Sequence, residues 1–274
     1  MAVTYWVGGT SGYMTVGANY AGGSVPNIGD DVIFNTGSRT VTVGPGKSLG
    51  NVICTSGWSG SFNNSGSPVA FTAITGTTGF NWAGSGDVCN VSFSGTCSVF
   101  TAQRGSVTLS GSGTIPALYV ENSNVEVSVT ALTAYYGMTP SSRITIGTSG
   151  TAIGTESWTY GVVDVTDRNV TACRVVGKNG RMYTRGAAAV TTVHVQDGAI
   201  FNSNSSGTIT TANVGGSGSL ITPVNSQYNT STITTLNVFS GASYVQYANG
   251  TQFSIGTLNV YGSQQAPGSV TPTV

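Results

Sequence analysis

The sequence predicts an all-β chain wound as a single-stranded β-helix. Three observations carry this: a composition of strand and turn formers, one short motif recurring about every twenty residues, and a period of two inside each copy. Charged residues make up only 7% of the 274, where ordinary globular proteins have about 25%. Disorder couples low hydrophobicity to high net charge, and a 39% hydrophobic content with zero formal net charge excludes it. Val, Ile, Thr and Tyr fit pleated surfaces, while the 40 glycines, with Asn, Ser and Pro, punctuate them. No extended helical period is present anywhere in the chain.

From the N-terminus, residues 1–34 are richer in aromatics than the rest of the chain, with Trp6, Tyr13, Tyr20, Pro26 and the run GDDVIF. An open solenoid end exposes unpaired strand edges and needs covering, so this segment is assigned as a cap and attachment element. Residues 35–262 form the solenoid. Its clearest copies are Val190-Thr-Thr-Val-His-Val195, Ile209-Thr-Thr-Ala-Asn-Val214, Ile233-Thr-Thr-Leu-Asn-Val238 and Ile255-Gly-Thr-Leu-Asn-Val260. His194, Asn213, Asn237 and Asn259 hold equivalent places in the four copies. Within a copy, Leu236 and Val238 face one way and Thr235 and Asn237 the other. One such rung buries too few apolar side chains to offset the entropy of ordering about twenty residues, so neighbours must close its apolar face.

Weaker copies lie upstream at Leu49–Cys54, Val88–Phe93, Leu118–Asn122 and Ala172–Val176. Winding most of 30–262 at about 20–24 residues per rung gives about ten rungs and, at ~4.8 Å between strands, a rod on the order of 50 Å. Residues 131–170 break the rhythm and read as a lateral insertion or a distorted rung. The tail 263–274 has glycine, two prolines and no alternation, and reads as an extended arm.

Tyr5-Trp-Val-Gly-Gly9, Val25-Pro-Asn-Ile-Gly-Asp-Asp-Val-Ile-Phe34, Thr40-Val-Thr-Val43 and Ser48-Leu-Gly-Asn-Val52 together resemble a known opening module. It belongs to β-helical proteins of bacterial surfaces and tailed-bacteriophage virions, in which W-x-G-G and P-x-x-G-D-D-V-x-[FI] lead into the first rungs. Tyr13 and Tyr20 stand where further tryptophans are common. The start carries neither a basic n-region nor an apolar h-region, so no signal peptide is read. No apolar run is long enough for a membrane span. With these features the resemblance implies a virion protein made in the host cytoplasm. The leading expectation is a capsid decoration or cement protein bound to the major capsid protein. A tail or head fibre or spike component binding host glycans comes next, then a bacterial surface adhesin. The resemblance also implies a homotrimer.

Catalysis is not expected. Glycoside hydrolysis needs two carboxylates about 5–9.5 Å apart. Adjacent Asp30 and Asp31 would point to opposite faces and read as a turn bonding its own backbone. Glu121 and Glu126 flank a corner at Asn122-Ser-Asn124, and Asp164 and Asp167 read as local partners of Arg168. Among the isolated carboxylates, Asp197 is the only one near His194 in sequence, too few ligands for a metal. His194, the sole histidine, replaces asparagine in the ladder. No phosphate-binding or nucleophile-elbow motif occurs, and no cofactor or metal is expected. Cys54, Cys89, Cys97 and Cys173 form no C-x-x-C pair, and their spacing matches no zinc site. They read as buried small hydrophobes, with a Cys89–Cys97 disulfide as the alternative.

Nine acidic and nine basic side chains give no field to attract nucleic acid or anionic lipid. Arg168, Arg174, Lys178, Arg181 and Arg185 nevertheless gather five of the nine cations into one short stretch. They form a candidate docking patch for an acidic shell, beside the aromatic attachment residues Trp6, Tyr13 and Tyr20. A solvated corner around Lys178-Asn-Gly180 accounts for the same cluster. Trp58, Trp82 and Trp158 are the candidate sugar platforms of the fibre reading.

Overall fold

A computed structural model describes residues 2–7, 12–27, 30–37, 40–43, 48–54, 61–64, 69–74, 80–93, 96–147, 150–217, 219–222, 232–246 and 254–261. Its strands pair in parallel, each with the strand one turn earlier and one turn later, which is a β-helix. Two columns of strands rise along the axis. In one, Val120, Gly137, Thr159, Val175, Val195, Val214, Val238 and Val260 stand one above another, so that seven turns of the winding separate the first from the last. In the other, Val32, Val52, Ile74, Phe93, Gly111 and Val129 continue the winding toward the N-terminus. Many turns are tighter than the sequence repeat suggests, because two short strands and two compact corners suffice. The rung count therefore departs slightly from the expected one.

The recurring motif lies in the first column, and its copies meet in register. Val190 pairs with Ile209, Ile209 with Ile233 and Ile233 with Ile255. The second motif residue (Thr191, Thr210, Thr234 or Gly256) is skipped by the register. All four are exposed. The strand bends there, so the period of two begins after the bend, with Val190, Val193 and Val195 all buried. Asn237 Nδ2 donates to Asn213 Oδ1 at 2.8 Å and Asn259 Nδ2 to Asn237 Oδ1 at 2.8 Å, a side-chain ladder along the axis.

The interior is a continuous apolar filling, from Trp6 and Phe34 through Phe80 and Phe100 to Ile233 and Leu236. Phe80 and Phe100 stack with centroids 5.3 Å apart. The inward-pointing Ser205 and Ser157 hydroxyls are satisfied by the backbone. Ser205 Oγ donates to the Ala188 carbonyl at 2.7 Å, and the Tyr135 amide donates to Ser157 Oγ at 3.1 Å. Cys97 and Cys173 are buried thiols outside any disulfide, which removes the Cys89–Cys97 pairing. Burial pushes the Cys173 thiol up to about 12.

The described residues of 131–170 stay within the winding. Residues 131–137 pair with 114–120, and Arg143–Ile146 pairs on both sides with the neighbouring coils. The broken rhythm comes from a register shift between Ile153 and Glu156. At the N-terminal end, Val3–Trp6 pairs with Asp31–Phe34. The next segment lies beside Thr40–Val43, with the Met14 amide donating to the Thr42 carbonyl and the Thr42 amide to Gly12. The chain then folds back, and Tyr20 meets Trp6 in an antiparallel bridge. Asp30 closes its turn as the sequence predicts, accepting from the Ala2 and Asn27 amides. Those two bonds hold its carboxyl below the usual range. The expected arm at 263–274 lies outside the described residues.

Candidate binding surfaces

The sequence-predicted site residues separate into two groups once placed. Trp6 and Tyr20 are core residues of the cap, not attachment residues. Trp6 packs edge-on against Tyr20 at 5.2 Å and against Phe34 at 5.4 Å. The Tyr20 hydroxyl donates to the Met14 carbonyl at 3.0 Å, and burial pushes its phenol well up. Tyr13, in contrast, is 54% exposed. The alternation that buries Trp6 turns Val3, Tyr5 and Val7 outward, at 58, 46 and 57% exposure. Tyr5 registers with Ile33 on the next coil, which extends this outward apolar stripe.

Arg168 does not belong to a surface patch either: it is 1% exposed. Its guanidinium spans two neighbouring coils. Nε donates to the Thr151 carbonyl at 2.5 Å, Nη1 to Val129 at 3.3 Å and Nη2 to Thr130 at 3.4 Å. No carboxylate among the described residues pairs with it, and burial pushes its pKa down. Five donors in a planar fork can serve several carbonyls at once, which a lysine cannot do. Gly150 makes the room. At φ +120°, a Cβ there would lie 2.4 Å from the Thr130 oxygen and 3.0 Å from Arg168 Cζ.

The other four cations surround one corner rather than sharing a face. Arg174 lies in the strand Val170–Val176, Lys178 is exposed on the connection, and Arg181 and Arg185 lie in Arg181–Gly186 of the other column. Two are already partnered. Arg174 Nε pairs with Glu156, and Arg185 Nε pairs with both oxygens of Asp164 at 2.9 Å while lying 5.9 Å from the Tyr183 ring. Exposed pairs of this kind contribute little to stability, but they cancel much of the patch's charge.

Two of the carboxylates weighed for chemistry, Asp164 and Asp167, are engaged in contacts of this kind. Asp164 serves Arg185 rather than Arg168, and Asp167 Oδ1 accepts from the Ala187 amide at 2.6 Å. Among the described residues no group of three His, Cys, Asp or Glu side chains could hold a metal.

An outward column on the motif face escaped the sequence reading. Tyr119, Tyr136, Trp158, Arg174, His194 and Asn213 occupy successive levels of one register position, which Asn237 and Asn259 continue. Tyr119 and Tyr136 stack at 4.7 Å, and Trp158 lies 5.5 Å from both Tyr136 and Tyr160. The signal was present as aromatics recurring once per coil, as the asparagines do. Of the other candidate sugar platforms, Trp82 is buried and Trp58 lies outside the described residues. No helix among the described residues is long and apolar enough to cross a membrane. Comparison with family models, with curated proteins and with solved structures returned no match.

Proposed function

We propose that this chain is a non-enzymatic structural protein of a bacteriophage virion, a decoration or cement protein that docks on the capsid shell as a trimer. The observation that carries the docking reading is the outward apolar stripe of the cap, Val3, Tyr5 and Val7, with Tyr13 of the same cap also exposed. Apolar side chains gathered on the outside of a capped end are characteristic of an interaction surface. The rest of the exterior, low in charge and ordered into side-chain ladders, suits a protein held within an assembly. The virion and capsid assignment rests on the N-terminal sequence module.

The test is compositional. Virions of the encoding phage should contain this chain in fixed stoichiometry with the major capsid protein. A variant carrying Val3→Asp, Tyr5→Asp and Tyr13→Asp should fold and fail to join the particles. Purified heads that lack the chain altogether would refute the reading, as would heads that accept the triple variant at wild-type occupancy.

A further inference from the structure

One outward column near the C-terminal coils contains a gap. Gln196 registers with Gly215. Phe239 lies over Gly215 and Tyr261 over Phe239, since the Phe239 amide donates to the Val214 carbonyl and the Tyr261 amide to the Val238 carbonyl, both at 2.8 Å. Tyr261 stacks on one face of the Phe239 ring, with centroids 4.9 Å apart and planes 13° apart. The other side of the ring leans over Gly215, where a Cβ would lie 3.4 Å from Phe239 Cβ and 3.7 Å from Cδ2. Glycine at 215 therefore leaves a recess between Gln196 and Phe239. The two are separated by two coils, roughly 10 Å at ~4.8 Å per strand.

The lining is chemically mixed in a specific way. Phe239, 42% exposed, supplies an aromatic wall. Gln196, Asp197, Asn213 and His194 supply the polar groups around it. Asp197 is held at this rim by its turn. Its φ is +58°, the Ala199 amide closes on the Gln196 carbonyl at 3.2 Å, and a Cβ on Gly216 would sit 2.8 Å from Asp197 Oδ1.

One ligand class uses all of these groups. A pyranose has an apolar C–H face for the aromatic ring and hydroxyls that both donate and accept. The two amides and the imidazole can do likewise, and the carboxylate accepts. A phosphate would meet the Asp197 carboxylate, and a purely aromatic ligand would leave the polar rim unpaired. We propose that the recess is a saccharide subsite that takes one pyranose unit of a neutral glycan. It lies on the C-terminal coils and does not depend on the docking reading, whose stripe is on the N-terminal cap.

The full-length protein would be examined by saturation-transfer NMR and titration calorimetry against glucose, galactose, mannose and N-acetylglucosamine. At least one sugar should receive saturation on its C–H face, with a Kd in the millimolar range. Phe239→Ala should weaken that binding tenfold or more. Phe239→Leu, which keeps the packing on Tyr261 but removes the ring, should do the same. Asp197→Asn, which tolerates positive φ, should weaken it at least fivefold with an unchanged unfolding midpoint. The proposal fails if none of the four sugars receives saturation. It also fails if the sugar that binds is indifferent to the Phe239 and Asp197 replacements.

Discussion

Replacing Arg168 with methionine removes the one side chain that ties the carbonyls of Val129, Thr130 and Thr151 together across neighbouring coils. Methionine matches the aliphatic stem and takes the guanidinium donors away from three carbonyls, of which Thr130 alone is shown to keep another donor, the Thr151 amide. A hydrogen bond to a charged group contributes about 1.5–3 kcal/mol, and a stranded buried acceptor costs a similar amount. Three such terms do not add in full, because the variant no longer has to desolvate a cation. The net loss should be about 3–5 kcal/mol. Arg168→Lys should lose most of the same amount, since one ammonium cannot span carbonyls on both coils. Coils unfold as coupled neighbours, so urea denaturation would be paired with hydrogen exchange at single amides. The Thr151 amide, bonded to the Thr130 carbonyl at 2.7 Å, reports the affected coil. The Val190 amide, bonded to Thr208 at 3.0 Å, serves as the distant reference. Wild-type protection at Thr151 together with an unshifted midpoint would refute the reasoning.

Further outcomes follow from the ladders and corners. Burial first, and then Arg174, push the His194 pKa below its ordinary value, while Glu156 opposes them. The unfolded chain therefore binds more protons as pH falls through about 6.5. Stability should decline from pH 7 toward pH 5, and His194→Asn should flatten that decline while extending the asparagine ladder, as thermal melts across this range would show. Gly150→Ala forces a Cβ against the Thr130 oxygen and should cost upward of ~2 kcal/mol. Gly154, whose Cβ would meet nothing within 4 Å, should accept alanine at no cost or with a gain of about 0.4–1 kcal/mol. The two melts together separate crowding from propensity. Cys173, held protonated by burial, should resist thiol reagents in the folded protein and react at full rate in denaturant. A native-state rate equal to the denatured one would contradict its placement. Sedimentation equilibrium of the 27.7 kDa chain should return a trimer. A monomer at micromolar concentration would remove that part of the proposal.

The sequence revealed one of the two strand columns and concealed the other, for a physical reason. Asn213, Asn237 and Asn259 bond to their own equivalents on the next coil. Each position therefore needs the same residue as its neighbour, and the motif repeats visibly. In the second column the buried side chains of Met182 and Phe201 share one register position. An apolar stack needs volume rather than identity, so only weak copies of a motif recur there. The upstream copies at Leu49–Cys54 and Val88–Phe93 belong to this second column, while Leu118–Asn122 and Ala172–Val176 belong to the first. The candidate site was less legible. Arg168 reads as one more cation beside Asp167, and only the carbonyls of distant residues reveal that it faces inward. Trp6 and Tyr13 are both aromatics of the cap, and strand alternation buries one while the fold-back leaves the other outside.

The fold-back at the N-terminus also makes the molecule directional. Asn19 and Ala21 occupy hydrogen-bonding positions along the outer edge of the first strand, through the Val7 amide and the Tyr5 carbonyl. A strand from another molecule, which would need those same groups to continue the parallel stack, finds them taken by a segment running the opposite way. A chain whose every coil is a template for the next thus carries at its start a stop that blocks end-on polymerisation from that side.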